Sequence, residues 1–132
     1  MTDVLRLGEL IIARLIAAVP DLGGRVYDKA AADTAYPYAT LGPIYGTEAD
    51  AEGIEADDWT VQIDLWDRRT KLDMAALAAT VRRALKGWAD IDEVTMHPLQ
   101  VGTPRVMDDP DGQTVHGVLL VEVLLEADPT AA

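Results

Sequence analysis

The 132-residue chain contains no cysteine, no serine and no phenylalanine. Without cysteine there are neither disulfides nor thiolate metal sites, so packing alone must hold the fold, in keeping with a reducing compartment. Without serine or cysteine the commonest nucleophiles are missing, and no base is placed to activate a threonine or lysine instead. Without phenylalanine, a hydrophobic content of 49% is met mainly by Leu, Ile, Val and Ala, anchored by three Trp and four Tyr. Cations are also scarce. Eleven Lys and Arg face 23 Asp and Glu, and the resulting net charge of −12 repels a phosphate backbone and argues against sequence-reading of DNA. That charge keeps the protein soluble or complements a basic partner. The first helical pattern is too short and polar to span a bilayer, and the N-terminus lacks the flank and cleavage site of a signal peptide. The expectation is therefore a soluble cytoplasmic protein with no membrane partner.

What is present fits one domain over residues 1–127, with ADPTAA as a disordered tail and 128–132 outside the domain. Val4, Leu5, Ile11, Ile12, Leu15, Ile16 and Val19 recur at three- and four-residue spacing behind two competent caps, Thr2 and Asp3. This predicts a helix over about 3–19, stopped by Pro20 and Gly23-Gly24. GRVYD (24–28) reads as a short strand, and a second strand runs from about Tyr36 to Tyr45. Pro43 inside that strand demands an edge position, a bulge or a break. In DWTVQIDLW the strand 59–66 turns Trp59, Val61, Ile63 and Leu65 inward and Thr60, Gln62 and Asp64 outward, with Trp66 on the polar side. Thr70 and Asp73 form a variant capping box ahead of a helix over about 72–87, with Met74, Leu77, Ala78, Val81, Leu85 and Trp88 on one stripe. Two further extended runs, 93–107 and 114–127, look like an antiparallel pair joined by the turn DDPDGQ.

The pattern predicts an α+β fold, a mainly antiparallel sheet with two helices packed on it, in the order helix, strand, strand, strand, helix, strand, strand. Its expected core includes Leu15, Ile63, Leu65, Leu77, Val81, Leu85, Leu119, Val121 and Val123. In the last strand Val118, Leu120 and Leu124 make the second face apolar too, so that strand is either central or covered by a second subunit.

Chemistry is hard to find. His97 and His116 are the only imidazoles and lack metal-ligand or carboxylate spacing, which favours structural roles. Asp108, Asp109 and Asp111 lack the alternation of a calcium loop and read as a turn. No cofactor and no metal are expected. TEADAEGIEADD (47–58) carries Glu48, Asp50, Glu52, Glu55, Asp57 and Asp58 with Ile54 as its one large apolar residue. It reads as a mobile loop, either a solvated connection or a binding element. Trp66 either covers the start of the following helix or makes an intersubunit contact.

Taken in order, the first helix, GRVYD, YPYATLG, VQIDLWDRR, the helix MAALAATVRRAL and a closing apolar strand resemble the small tail terminator, or tail completion, proteins of long-tailed phages and gene transfer agents. The most characteristic stretch is Asp64-Leu65-Trp66 followed by Asp67-Arg68 and the capped Ala-rich helix. The resemblance implies a non-enzymatic virion subunit that forms a hexameric ring. Such a ring caps the head-proximal end of the tail tube, stops tube polymerisation and meets the head connector or stopper protein, while DNA passes through without sequence-specific binding. Assembly in the host cytoplasm would precede incorporation into the particle tail. On this reading Trp66, Arg68, Arg69, Val118, Leu120 and Leu124 lie at the subunit boundary. The acidic residues of 47–58 and Ile54 would meet the tube or another partner. A head–tail connector subunit, or a small acidic inhibitor that mimics DNA, are the competing readings.

Overall fold

The structure, a computed structural model, describes residues 3–127, so the expected tail at 128–132 and the alternative cap Thr2 lie outside the described residues. Helix α1 spans Val4–Ala18 and is capped by Asp3, whose side chain accepts from the Arg6 N–H at 2.8 Å. Pro20 cannot continue the helix; it opens a single 3-10 turn, Pro20–Leu22, which closes at Gly23 in the left-handed region (φ 56°). Strand β1 (Val26–Tyr27) follows, then β2 (Tyr38–Glu48) and β3 (Ala56–Asp67). Helix α2 (Lys71–Leu85) begins at the predicted capping box, in which Thr70 and Asp73 each bond the other's backbone. The chain ends in β4 (Gln100–Val101), β5 (Arg105–Asp108) and β6 (Val115–Glu126).

The strands form one sheet in the order β1-β2-β3-β6-β4, with β5 also paired to β6. Only the β1–β2 pair is parallel. The fold is α+β, as the periodicity predicts. Pairing of Ile63 with Leu119 and of Val61 with Val121 turns these side chains to the same face. That face is closed by Leu7, Ile11 and Leu15 of α1 and by Met74, Leu77, Val81 and Leu85 of α2. All nine expected core residues are buried, and each large aliphatic among them contributes about 1.5–3 kcal/mol by leaving water. Gly117 lets α2 come close: a Cβ there would lie 2.8 Å from the Met74 sulfur.

Three expectations need correction. The segment 47–58 is not one loop, because Thr47 pairs with Asp58 and Glu48 with Asp57, which reduces the connection to residues 49–55. Its carboxylates do not prevent this, since the backbone of 56–58 is also paired to β6. The tip is closed by reciprocal bonds between Ala51 and Ile54 and by Asp50 accepting from the Ala56 N–H at 2.9 Å. The run 93–107 is broken into β4 and β5, with 93–99 irregular; Pro98, Gly102 and Pro104 interrupt it. Helix α2 stops at Leu85, ahead of Gly87 (φ 78°), so Trp88 packs against the core from outside the helix, with the Arg14 guanidinium 5.4 Å from its ring. For Pro43, the register shifts between Leu41 and Ile44, so it sits in a bulge. No strand among the described residues covers the outer edge of β2 beyond Thr40, so it also lies on an edge.

Candidate functional site

Both helices lie on one face of the sheet, and the other face is covered by no element of the described chain. Register decides what this outer face carries. Tyr38 of β2 is opposite Trp66 of β3, and Trp66 is opposite His116 of β6, which places three rings in a row across three strands. The Trp66 and His116 rings are nearly parallel (6°) with centroids 4.0 Å apart, and Tyr38 lies 6.4 Å from Trp66 on its other side. Tyr36 extends the row, 5.4 Å from Tyr38, and the Arg68 guanidinium lies 4.9 Å from the Tyr36 ring. The indole N–H of Trp66 donates to Thr40 Oγ1 at 3.1 Å. Partial burial in this row raises the Tyr38 pKa.

Trp66 is therefore the middle of a cross-strand stack within its own subunit, rather than a lid on the start of α2. Beside it Asp64 lies on the outward face that the alternation predicts, yet it is only 7% exposed. Its Oδ1 lies 2.7 Å from His116 Nε2 and accepts from Gln62 Nε2 at 2.8 Å. An ionised carboxylate only accepts, so His116 donates from Nε2. The sequence shows no His–carboxylate spacing because the partners are 52 residues apart and meet diagonally across two strands. This pair resembles half of an acid–base dyad, but the chain has no serine or cysteine to activate. No cluster of three or more His, Cys, Asp or Glu suited to a metal exists among the described residues.

Further along β6, Val118 and Leu124 are half-buried and Leu120 is exposed on the same outer face. Strand β6 is thus central, and its second face is left uncovered by the described residues. Arg68 and Arg69 follow β3, and both are engaged internally. Buried Asp67 accepts from the Arg68 backbone N–H and, at 2.6 Å, from Arg69 Nε; that bond raises the Arg69 pKa. Glu48, Asp50, Glu52, Glu55, Asp57 and Asp58 crowd the β2–β3 hairpin, with Ile54 exposed at its tip. Hydrogen bonding with Asp50 is the main reason the Glu48 carboxyl titrates above its ordinary value, and the nearby charges add to it. His97 lies apart from the ring row, 3.5 Å from Glu126. Sequence reasoning missed an apolar groove of about 300 Å³ between α1 and β2, lined by Val4, Leu5, Gly8, Ile12, Leu41 and Ile44 with Glu9 and Asp28 at its margin. Of the α1 residues that line it, Leu5 is an exposed large aliphatic, and that is the signal the helical pattern carries.

Fold and surface together define a class of protein: a small two-layer α+β protein with helices on one side of the sheet and stacked rings and aliphatics on the other. Among the described residues no helix is long and apolar enough to cross a membrane. Compared with known families, the sequence matches the one described as Tail completion protein gp17 over residues 9–126. The chain belongs to this family, whose members are structural proteins of phage tails. The fold is similar to that of a chain in the virion of a native gene transfer agent particle, with a TM-score of 0.75 and 18% identity. The alignment covers 92% of this chain and 95% of that one. A search of curated proteins by sequence finds no match.

Proposed function

We propose that the protein is a non-enzymatic subunit of a homo-oligomeric ring, with six copies, at the head-proximal end of a phage-type tail tube. There it stops tube polymerisation and joins the tail to the connector or stopper beneath the head. Family membership across residues 9–126 carries this reading, and the uncovered sheet face is the physical feature that supports self-assembly, since exposed apolar surface of this kind marks contact sites. Trp66, Arg68, Arg69, Val118, Leu120 and Leu124 lie beside the subunit boundary, and the acidic hairpin with Ile54 meets the tube. DNA traverses the ring without specific contacts, because a subunit of net charge −12 has low affinity for phosphate.

Electron microscopy of particles assembled without the protein tests the role. Overlong tails and unjoined heads are the expected result. Tails of normal length with leaking heads would assign the protein to the connector instead.

A further inference from the structure

We infer that the open edge of β2 accepts an extended segment of a partner protein as an added strand, a segment with apolar residues at alternate positions and a basic end beside the acidic hairpin. This site belongs to a single subunit, beyond the ring reading above, and serves any number of copies.

Strand β1 lies beside β2 only at Ala39 and Thr40, and no strand among the described residues occupies the lane beyond them. The Ala49 N–H donates to the Ala56 carbonyl. The alternation of an antiparallel ladder therefore turns the backbone groups of Tyr45 and Thr47 toward β3 and those of Ile44, Gly46 and Glu48 outward. On the near side of Pro43 the Ala39 N–H donates outward to the Arg25 carbonyl, which fits the same phase once the bulge is counted. An edge of this kind is a template for another strand, whose main-chain bonds supply affinity.

Side chains set what that strand must carry. Ile44 is level with Val61 and Gly46 with Trp59, on the helix-facing side of the sheet. Every second side chain of an added strand falls on that side, beside Ile44, Gly46 and Glu48. The first meets the groove between α1 and β2, where Leu5 and Ile44 leave apolar surface exposed. The second meets the Trp59 ring, which lies so close to Gly46 that a Cβ there would be 2.9 Å from it. The third meets Glu48, which is hydrogen-bonded with Asp50 and level with Asp57. Two apolar positions and one basic position follow.

Charge decides the occupant. At the groove end of the lane both signs are present. Arg6 bonds Glu93 at 3.0 Å and Glu9 at 3.4 Å, Arg14 turns away to the Ala84 carbonyl, Arg25 donates to the Pro37 carbonyl, and Lys29 follows Asp28. The hairpin end is one-sided: residues 47–58 hold Glu48, Asp50, Glu52, Glu55, Asp57 and Asp58 and no Lys or Arg. This gradient fits a segment with its cations at one end only. An antiparallel strand pairs slightly better than a parallel one, so from its N-terminus the segment reads basic, any, apolar, any, apolar. Residues 128–132 of this chain, Asp-Pro-Thr-Ala-Ala, do not have that pattern.

The probe is the capped peptide acetyl-Lys-Lys-Thr-Val-Thr-Val-amide, and the assay is amide hydrogen exchange of the full chain read by NMR. Peptide in millimolar excess should slow exchange at Ile44, Gly46 and Glu48, while Tyr45 and Thr47, already paired with β3, change little. Leu5→Lys, at an exposed position, should weaken binding about tenfold by placing a charge in the groove. Glu48→Lys with Asp57→Lys, which exchanges one like-charged pair for another, should also weaken it about tenfold. Equal binding of the same peptide with Glu in place of both Lys overturns the charge assignment. No slowing at the three amides overturns the site. Slowing there when the protein is concentrated without peptide places a second copy in the lane and overturns the partner protein as occupant.

Discussion

Replacing Trp66 by alanine removes three things at once: the parallel stack on His116, the contact with Tyr38, and the indole donor to Thr40. Ring pairs contribute about 0.5–1.5 kcal/mol each beyond area burial, and a neutral hydrogen bond a net 0.5–1.5 kcal/mol or so. The sum is about 1.5–4.5 kcal/mol for Trp66→Ala, large for a residue that is not fully buried. Trp66→Phe keeps a ring in the row and loses chiefly the hydrogen bond, so it should cost only about 0.5–1.5 kcal/mol. Urea unfolding followed by circular dichroism, at concentrations where the protein sediments as a monomer, reads both values without depending on the indole's own fluorescence. The slope with denaturant should stay constant. If Trp66→Ala lies within about 0.5 kcal/mol of the parent protein, a change typical of neutral surface positions, the stack does not stabilise the subunit and the ring geometry has been misread. Equal losses for the Ala and Phe variants would also refute the reasoning, by assigning the whole effect to the hydrogen bond.

Bonds from the Thr114 hydroxyl, then from the backbone N–H groups of Gln113 and Thr114, hold the Asp111 carboxyl down to about 2 from an ordinary 3.8. Because the folded value is the lower one, this stabilisation is present above pH 4 or so and is lost as pH falls toward 2. Asp111→Ala should therefore flatten the fall in melting temperature across that window, and an identical acid profile would contradict the assignment. At Gly117, a valine must displace Met74 and should cost about 1–3 kcal/mol. Met74→Ala in the same chain should recover part of that loss, whereas strict additivity in chemical denaturation would show that the two sites do not touch. Changing Glu48, Asp50, Glu52, Glu55, Asp57 and Asp58 to their amides should leave folding and ring formation intact while tails become irregular in length by electron microscopy. Unchanged tail length and titre would make the hairpin a solvated connection only.

The elements most legible in the sequence are those whose signals are local. The α2 start is written in Thr70 and Asp73, the α1 stop in Pro20, and the buried face of β3 in the alternation of Val61, Ile63 and Leu65. Pro43 announces both an edge and a bulge. The outer face is far less legible, because it is assembled by register. Asp64 reads as an outward polar residue until His116 arrives from β6, and Trp66 has no visible partner until Tyr38 and His116 take positions on either side. The hairpin was obscured differently. Its carboxylates weigh toward a loop in composition, yet ladder bonds depend on backbone groups, and side chains on an exposed strand end can stay in water while the backbone pairs. The α1–β2 groove depends on a short β1 leaving most of β2 bare, which no local pattern encodes.

Strand β6 is last in chain order among the described elements, yet it sits in the middle of the sheet, bonded to β3, β4 and β5. During synthesis the two helices and all the other strands therefore leave the ribosome before the strand that unites them. A nascent chain that ends before Val115 has a β2–β3 hairpin with one side of β3 bare, and β4 and β5 without the strand they pair with. Its contacts are dominated by pairs distant in sequence, so closure is late and all the more cooperative for it. The same twelve residues carry both the inner aliphatics that seal the core and the outer ones, Val118, Leu120 and Leu124, that line the uncovered face. An incomplete chain thus displays neither a finished core nor that face, and the surface it offers to other molecules comes into being only with the completed fold.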